Sequence, residues 1–382
     1  MGYHLRPVAP GERSGNDVDV HSKDGGAGPF TMEWDCEPPR APLRRAPTRP
    51  QPCSCRIGGA SGGGGVGEAC VPSPPAAAAH FCPFHICPPI SHPPICIALF
   101  VLFVSGDTGD PADSGAGVHR QLEDSLQRLG VARVDAVLIH GMDHAVAEAR
   151  AAAAAAGTDP AVAEETVLRQ VEAPDGGLAA LVRLRDGGRI GAVGVAVNVE
   201  NPIFPHDEAK RVAWNVGWFR RLLAVGARAV GAPRQLDFVM VAGMHTLLNQ
   251  TAFSSGLLDA AQTAGVAVLM AAPFNSGILA RDHGDFEGAW FSYSAAPPAT
   301  VQRARELLAV CEAHGVPLRA AALLFPLGHP AVVSVVVGAK SAAEWADCLA
   351  LAKTVIPRAF WADLKAAGLI PEAVPVPAGP AA

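Results

Sequence analysis

The sequence has no apolar run long enough to cross a membrane. Residues 95–104 form a run of ten apolar residues, whereas a membrane-spanning helix needs about 20. The first 30 residues carry charges throughout and contain no such run, so we expect no secretory signal. We predict no membrane segment, and we interpret residues 95–104 as a buried strand or as sequence foreign to the protein.

The sequence also lacks an excess of basic residues and a regular set of cysteines. Lysine and arginine (30) are outnumbered by aspartate and glutamate (36), so the net charge of −6 gives no reason to expect nucleic acid or an acidic membrane as a partner. Beyond residue 96 the cysteines are Cys311 and Cys348, which lie apart in apolar helical patterns. We therefore expect no disulfide framework and a cytoplasmic location.

The character of the chain changes near residue 105. Residues 1–94 are rich in proline, glycine and cysteine, so we expect them to be disordered or loop-like, with a flexible linker at the glycine-rich residues 61–65. We predict a division into residues 1–105 and a folded part, 106–382. A metal-binding module around Cys82, His85 and Cys87 is an alternative, although no second pair of ligands accompanies them.

After residue 117 the chain alternates between short apolar runs and amphipathic segments. The segments between the runs, such as 118–129 and 252–264, have apolar residues at helical spacing. This alternation predicts a parallel sheet covered by helices, either doubly wound or closed as a (β/α)8 barrel. Runs of strand length occur at 134–139, 190–197, 236–241, 266–271 and 331–337.

Polar residues follow the ends of several strands, at His140, Asn198, Asn275 and Lys340. In a barrel these strand ends form one mouth, where the active site lies. A dinucleotide-binding doubly wound fold would need a glycine-rich turn after its first strand, and none is present. We therefore predict an α/β fold of the TIM-barrel type in which the first three strand–helix units are missing or replaced.

Candidate chemistry lies at three of these places. His140 ends a strand, where an imidazole can polarise a carbonyl or share a proton, or can simply cap the strand end. The small residues of the loop at 273–277 would let the backbone approach a ligand, with an ordinary loop as the alternative. Ser341 and Glu344 predict a capping box, whose free amides and helix dipole would attract a phosphate beside Lys340.

Several segments together resemble the aldo-keto reductases, in particular their aldose- and pyridoxal-dehydrogenase-like branch. The segments include SLQRLGVARVDAVLIH, GGRIGAVGVAVN, APFNSGILA and VVVGAKSAAE, within residues 117–375. The resemblance implies a TIM barrel that moves hydride between NAD(P) and a carbonyl or lactol carbon, usually C1 of an aldose. It implies a small sugar or aldehyde as the partner, and leaves open the choice between NAD and NADP and the oligomeric state.

The resemblance also assigns roles to individual residues. His140 matches the family's catalytic histidine, and Asn198 lies where the family contacts the nicotinamide carboxamide. His245 replaces a common tyrosine, and Cys348 replaces an asparagine that contacts adenine. The implied pyrophosphate loop is Phe274, Asn275, Ser276 and Gly277, and the implied adenosine-phosphate site is Gly338, Lys340, Ser341 and Glu344.

The family's acid–base group is not recognisable in the sequence. The family uses a tyrosine, a lysine that lowers its pKa and an aspartate, all placed ahead of the histidine. Here the tyrosines are Tyr3 and Tyr293, and Lys23 is the only lysine before Lys210. One hypothesis is that residues 1–105 are foreign, for example a translated intron, and that the complete protein is a dehydrogenase. The alternative is a non-catalytic, cofactor-binding barrel.

Overall fold

The computed structural model describes residues 115–199, 201–227 and 236–379, together with the backbone of four strands before them. Within the stretch expected to be disordered or loop-like, the strands β1 (Tyr3–Pro7), β2 (Asp17–Val18) and β3 (Phe30–Trp34) form an antiparallel sheet in the order β1-β3-β2, in the unit Met1–Cys82. The glycine-rich stretch and the cluster of Cys82, His85 and Cys87 lie outside the described residues. The predicted division at residue 105 stays a prediction.

The second unit, Pro83–Ala382, contains a six-stranded parallel sheet, as the alternation of apolar runs predicted. Its sixth strand, β4, consists of the last four residues of the apolar run 95–104 and Ser105, so this part of the run forms a strand, which is one of its two interpretations. The spatial order follows the chain: β4 (Val101–Ser105), β5 (Val134–His140), β6 (Ile190–Asn198), β7 (Phe238–Ala242), β8 (Ala267–Ala271) and, after the hairpin of β9 (Trp290–Phe291) and β10 (Ser294–Ala295), β11 (Val332–Val336).

Helices connect these strands. One prediction needs correction: the helix expected over 252–264 is two helices, because the backbone of Gly256 between them is left-handed (φ 73°). The helices are α1 (Gly115–Leu129), α2 (Met142–Ala155), α3 (Pro160–Glu172), α4 (Gly177–Asp186), α5 (Glu208–Ala227), α6 (Thr251–Ser254), α7 (Leu257–Ala264), α8 (Pro298–His314), α9 (Leu318–Leu324), α10 (Ala342–Leu351) and α11 (Arg358–Ala366), with 3-10 helices at Asn275–Ala280 and Phe325–Gly328.

Among the described helices, no single one is both long and apolar enough to span a membrane. Helix α8 and the segment Leu318–Gly328 satisfy both requirements only as a pair, and they meet at a bend of 104°.

Both faces of the sheet are buried, which explains why its strands read as continuous apolar runs. One face forms a small cluster of Ala136, Leu138, Ala192, Phe238, Met240 and Leu269. The other face packs against the helices in a larger cluster that includes Val137, Ile139, Val193, Val195 and Val239. Neighbouring residues of one strand therefore belong to different layers, as the alternation of side chains along a strand requires.

Gly194 in β6 makes room for the ring of Phe238 on the neighbouring strand. A Cβ atom at Gly194 would lie 2.5 Å from two carbons of that ring, closer than real Cβ atoms approach. Phe238 is fully buried, so its ring has little freedom to move aside.

Three helices, α2, α3 and α4, lie between β5 and β6 in the chain. Side-chain contacts join α2 to α3, and ion pairs join α3 to α5. Glu164 on α3 accepts hydrogen bonds from Arg150 on α2 (2.6 Å) and from the Trp214 indole on α5 (2.8 Å). Arg221 on α5 pairs with Glu172 and Glu165. Hydrogen bonds from Arg221 and Arg169 hold the pKa of Glu165 at about 2. These contacts attach the α2–α3 pair to α5, the helix that follows β6 in the chain.

We predict that Gly194→Ala lowers the free energy of unfolding by about 1–3 kcal/mol, because the new methyl group overpacks the Phe238 ring. Gly217→Ala is the matched control. Gly217 lies in α5 with no atom within 4 Å of an added Cβ, so this change should raise the free energy of unfolding by about 0.5–1 kcal/mol. Urea denaturation measures both, and equal values for the two variants would contradict the packing argument.

Candidate functional site

A cavity of about 1160 Å³ opens where the parallel strands end. His140 is the last residue of β5, and Asn198 is the last residue of β6. Gly243 follows directly after β7, and Ala272 follows directly after β8. All four residues line the cavity. The structure brings together all of the predicted site residues except Ser341. Those in the cavity wall are His140, Asn198, Phe274, Asn275, Ser276, Gly277, Gly338, Lys340 and Glu344. Their chemical roles stay predictions at this point.

A buried asparagine fixes the β6 corner of the cavity, and the sequence analysis missed it. The Asn215 side chain on α5 donates a hydrogen bond to the Asn198 carbonyl (2.7 Å), and it is 1% exposed. Gly243 completes this corner with a left-handed backbone (φ 68°), and a Cβ there would lie 2.9 Å from a methyl group of Val199. The sequence does contain a signal for Asn215, because it is a polar residue among the buried apolar residues of α5.

The loop after β8 has an unusual backbone. Ala272, Asn275 and Ser276 have φ values of 56°, 45° and 57°, and Gly277 has φ 97°. Left-handed backbone at residues other than glycine costs free energy and tends to occur at ligand sites. The Ser276 hydroxyl accepts a hydrogen bond from the Tyr293 amide (3.1 Å), which attaches the β9–β10 hairpin to the cavity rim. The loop therefore has a strained backbone, and its contact with a ligand stays a prediction.

Two buried polar atoms in the cavity wall have no hydrogen-bond partner among the described residues. They are the side-chain oxygen of Asn275 and the side-chain nitrogen of Asn201, in residues that are 4% and 2% exposed. The Asn201 oxygen is used, because it accepts a hydrogen bond from the Ile203 amide (2.8 Å). A buried polar atom without a partner costs about 1–3 kcal/mol, so a bound molecule that supplied one acceptor and one donor would remove this cost.

At the other end of the cavity the capping box on α10 forms as predicted. The Ser341 hydroxyl accepts a hydrogen bond from the Glu344 amide (3.2 Å), so this hydroxyl faces its own helix rather than the cavity. The Glu344 carboxylate accepts a hydrogen bond from the Lys340 amide (2.7 Å), because an N3 glutamate reaches back over the start of its helix. The attraction of the remaining amides at the helix start for a phosphate stays a prediction.

Arg319, which sequence reasoning also missed, ties two parts of this end together. Its guanidinium pairs with Asp282, in the loop after β8, and with Asp347 on α10. Arg319 and Asp347 both line the cavity. Cys348 beside them is neutral, since burial raises the pKa of its thiol. Ion pairs between residues distant in sequence leave no periodic signal, so the pattern of the sequence did not show them.

Residues 107–368 match the aldo/keto reductase family. The chain belongs to this family. The resemblance seen in the sequence motifs is therefore confirmed, and so is the α/β barrel class of the fold.

Two relatives agree with the dehydrogenase branch named from the sequence. Pyridoxal 4-dehydrogenase of Microbacterium luteolum is 30% identical over 254 residues, which are 66% of this chain and 62% of that protein. D-threo-aldose 1-dehydrogenase of a Pseudomonas species is 29% identical over 255 residues, which are 67% of this chain and 63% of that protein. The chain thus spans less than two thirds of the length of either relative.

Beneath the cavity, His245 is fully buried, and neither ring nitrogen has a hydrogen-bond partner in the described part of the chain. Its ring packs against Phe325, with centroids 4.9 Å apart, and lies 6.4 Å from the ring of His329. Burial, together with the smaller effect of the charge of His329, lowers the pKa of His245 to about 3. At the position where the family commonly has a tyrosine, this chain thus has a neutral core residue that does not line the cavity.

We predict that His245 makes the fold sensitive to acid. Its pKa falls from 6.5 to about 3 on folding, so between these values the unfolded chain binds a proton that the folded chain does not. Stability should therefore decrease below pH 6.5 by about 1.4 kcal/mol per pH unit and should not depend on this group above pH 6.5. Chemical denaturation from pH 7.5 to pH 4.5 measures the slope.

In His245→Leu the acid slope should be smaller, whereas His206→Leu, at an exposed position, is the control for the loss of an imidazole. An unchanged slope in His245→Leu would show that other groups cause the acid sensitivity.

Proposed function

We propose that the protein binds NAD(P) along this cavity and oxidises or reduces the C1 lactol or aldehyde carbon of aldoses or similar small carbonyl compounds. The observation that supports this most directly is that nine of the ten predicted site residues line one cavity. The chain that forms this cavity belongs to the aldo/keto reductases. The names of the two relatives, an aldose dehydrogenase and a pyridoxal dehydrogenase, support the substrate class. We place the protein in the cytoplasm, with a sugar or aldehyde as its partner and no nucleic acid or membrane.

The cavity suits a dinucleotide in size and in chemistry. At about 1160 Å³ it exceeds the roughly 300–1,000 Å³ of common small-molecule pockets, so it has room for an elongated two-part ligand. The free oxygen of Asn275 and the free nitrogen of Asn201 match the donor and the acceptor of an amide group. Lys340 and Arg281 supply positive charge for phosphate groups.

His140 is the residue we assign to the reacting carbonyl. It lies at the strand end that opens into the cavity, where its imidazole can hydrogen-bond to the substrate oxygen. The bound nicotinamide would supply the hydride donor or acceptor. Asn198, held through its carbonyl by Asn215, would position the ring beside His140.

One observation favours a second candidate, a cofactor-binding barrel without catalysis. The only tyrosine beyond Tyr3 is Tyr293, which lies on the β9–β10 hairpin at the rim and is 78% exposed. A protein that kept the cofactor site without an acid–base group would bind nucleotide and not turn over substrate.

The purified chain should quench its tryptophan fluorescence on titration with NADH or NADPH, and it should oxidise aldoses in a nicotinamide absorbance assay. His140→Gln should lower turnover by about 10²–10⁴-fold, because proton sharing and polarisation by the imidazole are lost, without a change in cofactor affinity. His119→Gln, an exposed position on α1, is the control. Binding without turnover would favour the second candidate, and no binding of either nucleotide would reject both.

Asn275→Gly should weaken NADH binding by about 2–10-fold, the effect of one neutral hydrogen bond. The fold should tolerate the change, because glycine accepts the positive φ at this position and the lost oxygen has no partner in the described residues. Ala272→Gly relieves a similar backbone strain without removing a polar atom and should bind NADH like the original chain. Equal affinities for all three proteins, measured by calorimetry, would remove Asn275 from the site.

A further inference from the structure

His144 places a second imidazole in the cavity wall, close in the chain to His140. It lies in the first turn of α2, four residues after His140, and both residues line the cavity. Only Gly141, with a left-handed backbone (φ 76°), separates the end of β5 from the start of α2. One strand end and the helix that follows it therefore present two imidazoles to the same space.

The His144 imidazole is available to a ligand and to water. It has no hydrogen-bond or ion-pair partner in the described part of the chain, and the residue is exposed, whereas His140 is half-buried. An imidazole changes its charge near neutral pH. Because His144 is in contact with water, it can take up a proton in the cavity and release it to the solvent.

The other titratable groups of the cavity wall are less suited to this task. Tyr293 is 78% exposed on the β9–β10 hairpin, and burial raises the pKa of the Cys348 thiol. The remaining groups belong to the loop after β8, to α9 and to the start of α10; they are Arg281, Arg319, Lys340, Glu344 and Asp347. Among the described residues, His140 and His144 are thus the titratable groups that β5 and α2 contribute to the cavity wall.

A buried carboxylate accompanies the two imidazoles. Asp143, which lies between them in the chain, is 5% exposed, and one of its side-chain oxygens has no hydrogen-bond partner among the described residues. The start of a helix carries a partial charge of about +0.5, which opposes a positive charge on an imidazole. The full negative charge of Asp143 in the same turn exceeds it, so this corner can balance the charge that an imidazole gains with a proton.

We propose that His144 is a catalytic residue that accepts the proton of the substrate hydroxyl, while His140 donates a hydrogen bond to the same oxygen. During oxidation the lactol C1 loses its hydrogen as hydride, with the bonding electron pair, to the bound nicotinamide. The O–H bond breaks, its proton goes to the neutral His144 imidazole, and a C=O bond forms. His144 then releases the proton to water, so the proton transfer does not require the family's tyrosine.

This inference rests on the proposed function, because it assumes that a nicotinamide nucleotide accepts the hydride in the cavity. Turnover of L-fucose and of pyridoxal by the full chain, with NAD⁺ and with NADP⁺, provides the test. His144→Gln should lower kcat by about 10²–10⁴-fold, because the proton acceptor is lost. The affinity for the nucleotide, followed by tryptophan fluorescence, should stay unchanged and would show that the variant is folded.

The pH dependence separates the roles of the two histidines. In the original chain, turnover should fall as the pH is lowered through the range in which an imidazole takes up a proton. His140→Gln should keep this fall at its lower rate, whereas His144→Gln should lose it. His206→Gln is the matched control: His206 is exposed on the loop between β6 and α5, outside the cavity wall, and its replacement should leave rate and pH dependence unaltered.

Two further measurements distinguish a catalytic from a structural role of His144. Added imidazole should restore part of the turnover of His144→Ala, because a free base can enter the space of the missing side chain. In NMR spectra of histidine-labelled protein, the imidazole signal that is missing from His144→Gln should shift when the substrate is added to the original chain. The NMR measurement does not depend on turnover.

Each outcome of these experiments decides a different question. Turnover of His144→Gln at the original rate, or an imidazole signal that does not shift, would overturn this proposal and leave the proposed function standing. Nucleotide binding by the original chain without turnover of either substrate would overturn this proposal and favour the non-catalytic barrel. Failure of both nucleotides to bind would overturn the proposed function as well.

Discussion

Backbone hydrogen bonds between parallel strands hold the register on which the candidate site depends. Asn198 lies opposite Ala242, and Ala242 lies opposite Ala271, so the last residues of β6, β7 and β8 end at one level. A shift of one residue in any strand would turn its side chains to the opposite face and would move its final polar residue away from the cavity. The glycines at positions 194 and 243 allow this register, because each permits a close approach that a larger residue would block.

The sequence predicted those parts of the structure that depend on local pattern. Apolar runs showed the strands. The polar residues at the ends of these runs indicated the mouth of the barrel, because the carboxyl ends of parallel strands lie at the same edge of the sheet. Ser341 and Glu344 showed the start of α10, since a capping box is written in neighbouring residues. The division of the helix at 252–264 was missed because an isolated glycine in a helical pattern can be tolerated within the helix or can end it.

The parts that could not be predicted depend on pairs of residues far apart in the chain. Arg319 is 37 residues from Asp282 and 28 residues from Asp347, and Asn215 is 17 residues from Asn198. No periodicity marks such partners, and one sequence contains no record of which residues vary together. The hydrogen-bond partner of the Glu344 carboxylate also could not be predicted. The capping box showed that this carboxylate can reach back over the helix start, but not that it accepts from the Lys340 amide.

The unpaired side-chain atoms of Asn275 and Asn201 would link the stability of the fold to ligand binding. Each is a buried polar atom without a partner among the described residues, which costs free energy that a hydrogen bond from a bound molecule would recover. A ligand present at 100 times its dissociation constant would add about 2.7 kcal/mol to the stability of the folded state. In a cell, the amount of intact protein would then rise and fall with the supply of such a ligand, because quality control removes chains that unfold more often.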